Sequence, residues 1–265
     1  MRLESIILFI RRTAALAAII VLGLSPAIVR AANLTALTET LPPLNYEVDG
    51  KVTGFSSELL DLMAEDAGLT INKQLLPWAR AYRSVQSNKN TLIYSMVRNV
   101  ERESLFQWVG PISQRRVFLY KHRDRDDISL KTIDDARAYR IGTNNESAAT
   151  MSLLKQGFMI SNNRSTPGLK IAVDDETNMR KFIAKRFDLL VSVDWAAAYN
   201  TKNSGLNPND IQPALLLDDS FEYWYGINLS TDPEVVRKLD LALQRIKKDG
   251  RYLKLQQKYL PRTPR

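Results

Sequence analysis

Short apolar runs alternate with amphipathic helical stretches along nearly the whole chain, and that alternation confines it to an α/β fold. Residues 34–38, 71–76, 91–96, 139–141, 169–173 and 189–193 read as strands. A helix between the first two has Ser56 or Ser57 as its cap, a buried stripe of Leu59, Leu60, Met63 and Ala67, and Gly68 as its stop. Helices are predicted over 79–86, 176–184 and 195–201, with a short helical turn over 99–103. Thr143-Asn144-Asn145-Glu146 reads as a capping box for a helix that reaches Lys155 and ends at Gly157. A strand over 117–120 leads from the first unit to the second. Near the end, Asp232-Pro233 opens a helix whose stripe is Val235, Val236, Leu239, Leu243 and Ile246, and a last helix covers 252–259. No internal repeat or low-complexity tract interrupts this order.

The N-terminus has its own logic. Arg2, Arg11 and Arg12 precede an apolar run from Thr13 to Leu24, far short of the ~20 residues that span a bilayer. Val29-Arg30-Ala31 then presents small residues where a signal peptidase reads, so 1–31 is expected to be a cleavable secretory leader, with an uncleaved anchor as the alternative. The residues around Arg11-Arg12 fit a twin-arginine signal poorly. The chain has no cysteine. Disulfides, thiolate metal sites and a lipid-modified N-terminal cysteine are therefore excluded, and a soluble periplasmic product is expected.

Charge narrows the function further. Lys and Arg number 37 against 29 Asp and Glu, a net charge of +8, and part of the excess lies in the leader. The basic residues are scattered and no nucleic-acid motif is present, so no nucleic-acid partner is expected. The one histidine, His122, lies in the charged run Lys121-His122-Arg123-Asp124 and reads as a solvated loop residue. A catalytic zinc or a Ser-His-Asp triad would rest on it alone. No cofactor is implied.

Four segments, in order, resemble a known family. They are Pro42-Pro43-Leu44-Asn45-Tyr46 with Gly50 to Phe55, Ser95 to Arg102, Gly142 to Glu146, and Tyr225-Gly226-Ile227 followed by the long helix and Asp249-Gly250. Together they are similar to the type II periplasmic solute-binding proteins of amino-acid ABC transporters, solute-binding family 3. The resemblance implies two α/β lobes, each a sheet flanked by helices, joined by two hinge strands with ligand in the cleft. Lobe one would take 33–112 and 221–265, and lobe two 113–220. A monomer that delivers a small polar, amino-acid-like solute to an inner-membrane ABC permease is expected.

An amino-acid zwitterion needs a guanidinium, an acid and an aromatic wall. Arg102 matches the family's carboxylate-binding arginine, and a planar fork suits a carboxylate. With Asn99 as cap, Arg102 would lie in the first turn of a helix, where a cation is unfavourable without an anionic partner; a salt bridge to Glu101 or Glu103 is the alternative. Arg98 is either an added anion contact or solvated, and Asn99 either a plain cap or a ligand contact as well. Asp194 is the candidate for the ammonium, one residue out of the family's register, with a helix cap as its other role. Tyr46 and Trp78 would form the aromatic wall or pack in the core. Leu44 stands where phenylalanine is usual. Arg80 would line the cleft mouth. Thr143 would offer its amide or hydroxyl to a carboxylate, or serve only the capping box.

Two other functions compete with a transport receptor. An enzyme on the same fold, similar to periplasmic dehydratases of cyclic acids, would need a tuned carboxylate among Glu58, Glu146 and Asp194, and no dyad stands out. A sensory module would dock on a separate membrane receptor. The expectation is a binder without turnover.

Overall fold

The structure, a computed structural model, describes residues 33–144, 147–173, 175–205 and 207–259. The expected leader at 1–31, and Asn145 and Glu146 of the expected capping box, lie outside these residues. Among the described residues no helix is long and apolar enough to cross a membrane.

The chain begins with β1 (Asn33–Thr38), a hairpin of β2 (Tyr46–Val48) and β3 (Lys51–Thr53), α1 (Phe55–Ala67), β4 (Thr70–Leu75), α2 (Trp78–Ser87) and β5 (Thr91–Val97). The long β6 (Gln107–His122) leads to β7 (Arg140–Asn144), α3 (Ala148–Lys155), β8 (Gly168–Ala172), α4 (Asp175–Ile183), β9 (Leu189–Val193) and α5 (Asp194–Asn203). An equally long β10 (Ile211–Ile227) is followed by α6 (Pro233–Lys248) and α7 (Arg251–Tyr259).

Eight strands form one sheet in the order β4-β1-β5-β10-β6-β9-β7-β8. β1 lies between β4 and β5 and parallel to both, and β7 lies likewise between β8 and β9. Each trio thus has its first strand in the middle, with helices as crossovers. Burial follows position. β5 is buried at every residue from Thr91 to Met96 and reads as a continuous run, whereas the edge strand β4 alternates between exposed and half-buried residues. β6 and β10 pair antiparallel with each other along their lengths and join the two trios. Their register shifts at several points, including Asp218 to Phe221, where an extra residue bulges from β10.

Each trio has its own packing. Leu37, Ala81, Val85, Ile93, Met96 and Phe106 form a cluster where α2 covers β1 and β5, with Trp78 and Tyr82 at its margin. A second cluster around Leu119, Ile141, Leu153 and Leu189 and a third around Tyr120, Phe182 and Leu190 fill the other trio. Each fully buried side chain of this size contributes about 1.5–3 kcal/mol.

Helix starts depart from the sequence-based expectation in two places. α1 has no side-chain cap; its first amides donate to Pro43 O at 2.9 Å and Leu44 O at 2.8 Å. Ser56 and Ser57 are buried inside the helix, and Ser57 Oγ lies 3.0 Å from Tyr94 Oη. Gly54 permits this approach: its φ is 107°, and a Cβ there would lie 2.6 Å from Leu44 O. The second departure is at α3. β7 runs through Asn144, and Ser147 is the cap, its Oγ accepting from Thr150 N at 3.1 Å. By contrast Asp232 caps α6 as expected, accepting from Glu234 N at 2.9 Å, and the stripe Val235, Leu239, Leu243 and Ile246 is buried.

His122 is not a solvated loop residue. It ends β6, is 9% exposed, stacks on Phe182 at 4.1 Å, and its Nε2 lies 2.8 Å from the Phe182 carbonyl, to which it donates. The ladder to Ile211 of β10 carries β6 to this point, a pairing that the local charge pattern does not show.

Candidate functional site

The parallel strands β1, β4 and β5 end on one edge, where the chain loops over to helices. In open α/β sheets such carboxyl ends face the ligand crevice. Asn45 fixes this edge. Its Nδ2 donates to Thr38 Oγ1 at 2.9 Å and to the Glu39 carbonyl, and its Oδ1 accepts from Ser95 Oγ at 2.5 Å. Ser95 holds a φ of 57°, a conformation that non-glycine residues adopt rarely. The buried Thr38 Oγ1 in turn donates to Tyr94 O at 3.1 Å. The ends of β1 and β5 are thereby held together by polar groups that are buried and satisfied.

Arg102 stands above this edge. The expected helix over 99–103 is a turn, and a single 3-10 turn begins after Arg102, which therefore lies at a cap position and not in a first helical turn. Asn99 shapes the turn: its Oδ1 accepts from Arg102 N at 3.1 Å. The Arg102 guanidinium donates from Nη1 to Val97 O at 3.1 Å and lies 5.5 Å from the Trp78 ring and 5.6 Å from the Tyr82 ring. Arg102 is half-buried and forms no ion pair among the described residues. Glu103, its expected alternative partner, pairs with Arg98 instead.

Arg98 is occupied. Its Nε and Nη2 grip Glu103 at 2.7 and 2.5 Å, and its guanidinium lies 4.6 Å from the Trp224 ring. Glu103 holds the Arg98 group above its ordinary pKa, and Arg98 holds the Glu103 carboxyl below its own. Arg98 and Asn99 line a recess of about 710 Å³ with Phe221 and Trp224. Arg80 is exposed in the first turn of α2, and its guanidinium has no partner among the described residues.

The other candidates lie elsewhere. Asp194 is the first residue of α5. Its Oδ2 accepts from Arg116 Nε at 2.9 Å, with Nη2 at 2.7 Å, and its Oδ1 accepts from Trp195 N at 2.8 Å. Thr143 is fully buried in β7 opposite Ile171, and its hydroxyl lies 2.6 Å from that of Thr150. Tyr46, at the start of β2, packs its ring 5.8 Å from that of Tyr199 on α5. Burial, with Tyr259, Tyr199 and Glu58 nearby, pushes the Tyr46 hydroxyl up. Close by, Thr40 to Pro42 and Asp175, Arg180 and Tyr199 line a recess of about 680 Å³. Leu44, beside Tyr46, is fully buried and belongs to the core.

The structure thus brings Arg102, Asn99 and Trp78 together, sets Tyr46 against a different neighbour, and leaves Asp194 and Thr143 on the other trio. Tyr82, Tyr199, Arg116 and Glu39 were not singled out from sequence. Tyr82 was legible, standing four residues after Trp78 on one helix face. Arg116 and Glu39 carried no local signal. Glu39 follows β1, is half-buried, and burial pushes its carboxyl up.

A family model described as bacterial extracellular solute-binding proteins, family 3, matches residues 34–262. The probable amino-acid-binding protein YxeM of Bacillus subtilis (strain 168) is 21% identical over 222 residues, 82% of this chain and 79% of that protein. Among solved structures, substrate binding domain 2 of Lactococcus lactis GlnP, in an open conformation, matches with a TM-score of 0.68 at 17% identity, covering 89% of this chain and 98% of that one. A histidine kinase sensor domain with similarity to periplasmic binding proteins matches with a TM-score of 0.67 at 17% identity, covering 88% and 97%. At these identities what is shared is the fold, the two-lobed type II arrangement of periplasmic binding proteins.

Proposed function

This chain belongs to the bacterial extracellular solute-binding proteins of family 3, and from that membership we propose that it captures a small polar solute through a carboxylate held by Arg102. One observation carries the reading. The Arg102 guanidinium sits at the carboxyl edge of the parallel strands, beside two adjoining aromatic rings, without an acid of its own among the described residues. A planar fork with free donors pairs bidentately with a carboxylate. Trp78 and Tyr82 supply an apolar wall, and Asn99 orders the turn that presents the arginine.

Lobe one comprises 33–112 and 221–265 and lobe two 113–220. Closure bends β6 and β10 near the bulge at Asp218 to Phe221 and encloses the solute between the two lobes. The protein acts without turnover, is exported to the periplasm through a cleaved leader at 1–31, and delivers its solute to an inner-membrane ABC permease. Docking on a membrane sensor is the second reading, favoured by the likeness to a histidine kinase sensor domain.

A thermal-shift screen of the mature protein over amino acids, opines, short peptides and organic acids tests the reading. A carboxylate-bearing solute is expected to raise the melting temperature of the wild type and not of Arg102→Ala. Stabilisation by no carboxylate compound, or by the same compounds in both proteins, refutes it.

A further inference from the structure

The two long strands are covered unevenly. Over β6, α6 and α7 close the sheet: Lys247 Nζ donates to Pro111 O at 2.8 Å and Tyr252 Oη to Ile112 O at 2.7 Å. Beside the first half of β10 a recess of about 580 Å³ stays open between α3, the 3-10 turn Ile133–Ala138 and the strand. Its wall is apolar, built from Val117, Ile133, Leu153, Leu215 and Leu217, with Phe221 of the bulge beside them. Neither Arg102, Asn99 and Trp78 nor Asp194 and Thr143 line it. A recess of this size, mostly apolar with a few polar groups, has the make-up of a small-molecule pocket.

The charges around the recess do not balance. Asp218 is its one acid among the described residues, and it is already held: Arg115 Nη1 donates to Oδ2 at 3.0 Å, and Ser220 donates its N and Oγ to Oδ1 at 3.0 and 2.5 Å. Lys131 also lines the recess, and its ammonium has no hydrogen bond or ion pair among the described residues. The nearby Asp135 carboxylate accepts from the Lys131 and Thr132 amides, at 2.8 Å each. A free cation at an apolar recess suits an amphipathic anion, whose body leaves water against the wall while its head meets the ammonium. A strand from another chain fits less well. β5 pairs with β10 only from Tyr223 to Ile227, which leaves residues 211–221 with an open edge among the described residues. Pro213 and the register shifts between Pro213 and Phe221 interrupt the row of groups that an added strand would pair with.

We propose that this recess is a second ligand site, separate from the edge that Arg102 marks, and that it takes a small monocarboxylate with an aliphatic body. The chain lies against Leu215, Leu217 and Leu153, and the carboxylate meets Lys131. The site goes beyond solute capture at Arg102 and does not depend on it.

Isothermal titration of the mature protein tests it with octanoate, octylammonium, which reverses the charge, and acetate, which lacks the chain. Octanoate should bind the wild type about tenfold or more tighter than either, the size of a charge-assisted contact for the first comparison. Lys131→Glu should cost octanoate about tenfold or more and remove its advantage over octylammonium. Ser152 is exposed on α3 and lines the recess, so Ser152→Trp fills it and should abolish octanoate binding. Arg102→Ala should leave octanoate affinity within about threefold. Melting of the ligand-free variants checks folding; should Ser152→Trp melt early, the smaller Ser152→Leu is expected to weaken octanoate. Octanoate binding that survives both Lys131→Glu and Ser152→Trp, or that Arg102→Ala removes, places the probe elsewhere and overturns the site. Equal affinity for octylammonium overturns the choice of a carboxylate, and no octanoate binding overturns the site outright. A concentration-dependent dimer that Ser152→Trp abolishes would give the recess to a second copy of the chain instead. All of these overturning outcomes leave solute capture at Arg102 standing, since that is read from its own carboxylate screen.

Discussion

Arg116 of β6 grips the carboxylate of Asp194 at the head of α5, with Nη2 2.7 Å from Oδ2. The acid is mostly covered while the arginine is nearly half exposed, so the pair is screened on one side only. It fixes the start of α5 against a strand that joins the two trios.

Asp194→Asn is therefore expected to act on stability before binding. Loss of a half-screened pair costs about 1 kcal/mol, which lowers the melting temperature by roughly 2–4 °C for a chain of this size. Solute affinity should stay within a few-fold. A collapse in affinity without a change in melting would place Asp194 in the site after all.

Arg102→Ala should abolish solute-dependent stabilisation while leaving the ligand-free protein nearly as stable as before. Arg102 has no ion pair to lose among the described residues, and two weak ring contacts amount to about 0.5–1 kcal/mol each. Arg102→Lys should not restore tight binding, because an ammonium lacks the planar fork. Full rescue by lysine would argue for a simple point charge.

Closure can be followed directly, because the chain has no cysteine and tolerates specific labelling. Donor and acceptor dyes at cysteines replacing Lys51 and Lys202, both exposed, should report a shorter distance when a binding solute is added. An unchanged transfer efficiency at saturating solute would count against hinge motion.

Asp188 makes stability depend on pH. It accepts from Arg140 N at 3.0 Å, Arg140 Nε at 2.8 Å and Arg125 Nη1 at 2.9 Å. Burial alone would raise its carboxyl, but the two guanidiniums outweigh burial and hold it below the usual range. A depressed carboxyl stabilises the fold above its unfolded pKa of about 3.9, and that contribution disappears as pH falls through the folded value. Asp188→Asn should thus cost about 2–3 kcal/mol at neutral pH. The gap between variant and wild type should narrow from about pH 4 downward. A gap independent of pH would mean that shape, and not charge, is what Asp188 supplies.

Gly54→Ala should destabilise by about 2 kcal/mol or more, from the strained φ and the collision with Leu44 O. Chemical denaturation measures it. A neutral effect would show that the turn at Pro42 to Asn45 moves freely.

Much of the architecture was legible because its signals are local. The run Thr91 to Met96, the stop at Gly68 and the cap at Asp232 each depend on residues within one or two turns. The length of β10 was not legible, since Pro213 and the polar Asp218, Asp219 and Ser220 interrupt its pattern, and β6 holds it in register across those breaks. Nor was the burial of His122, which depends on Phe182, sixty residues away.

The same division runs through the site. By itself the sequence determined an α/β chain with a cation at Arg102, an aromatic at Trp78 and a polar Asn99 beside the arginine, since these lie within a strand end, a turn and a helix start, although the helix expected from Asn99 is a turn. Only the tertiary structure decided which charges are free. Glu103 went to Arg98, five residues away and across a turn, and Asp194 went to Arg116, a partner 78 residues distant in sequence. Glu39 was left without one among the described residues. A charge's role depends on what else comes within a few ångströms of it, and that is set by how strands pair rather than by what stands beside it in the chain.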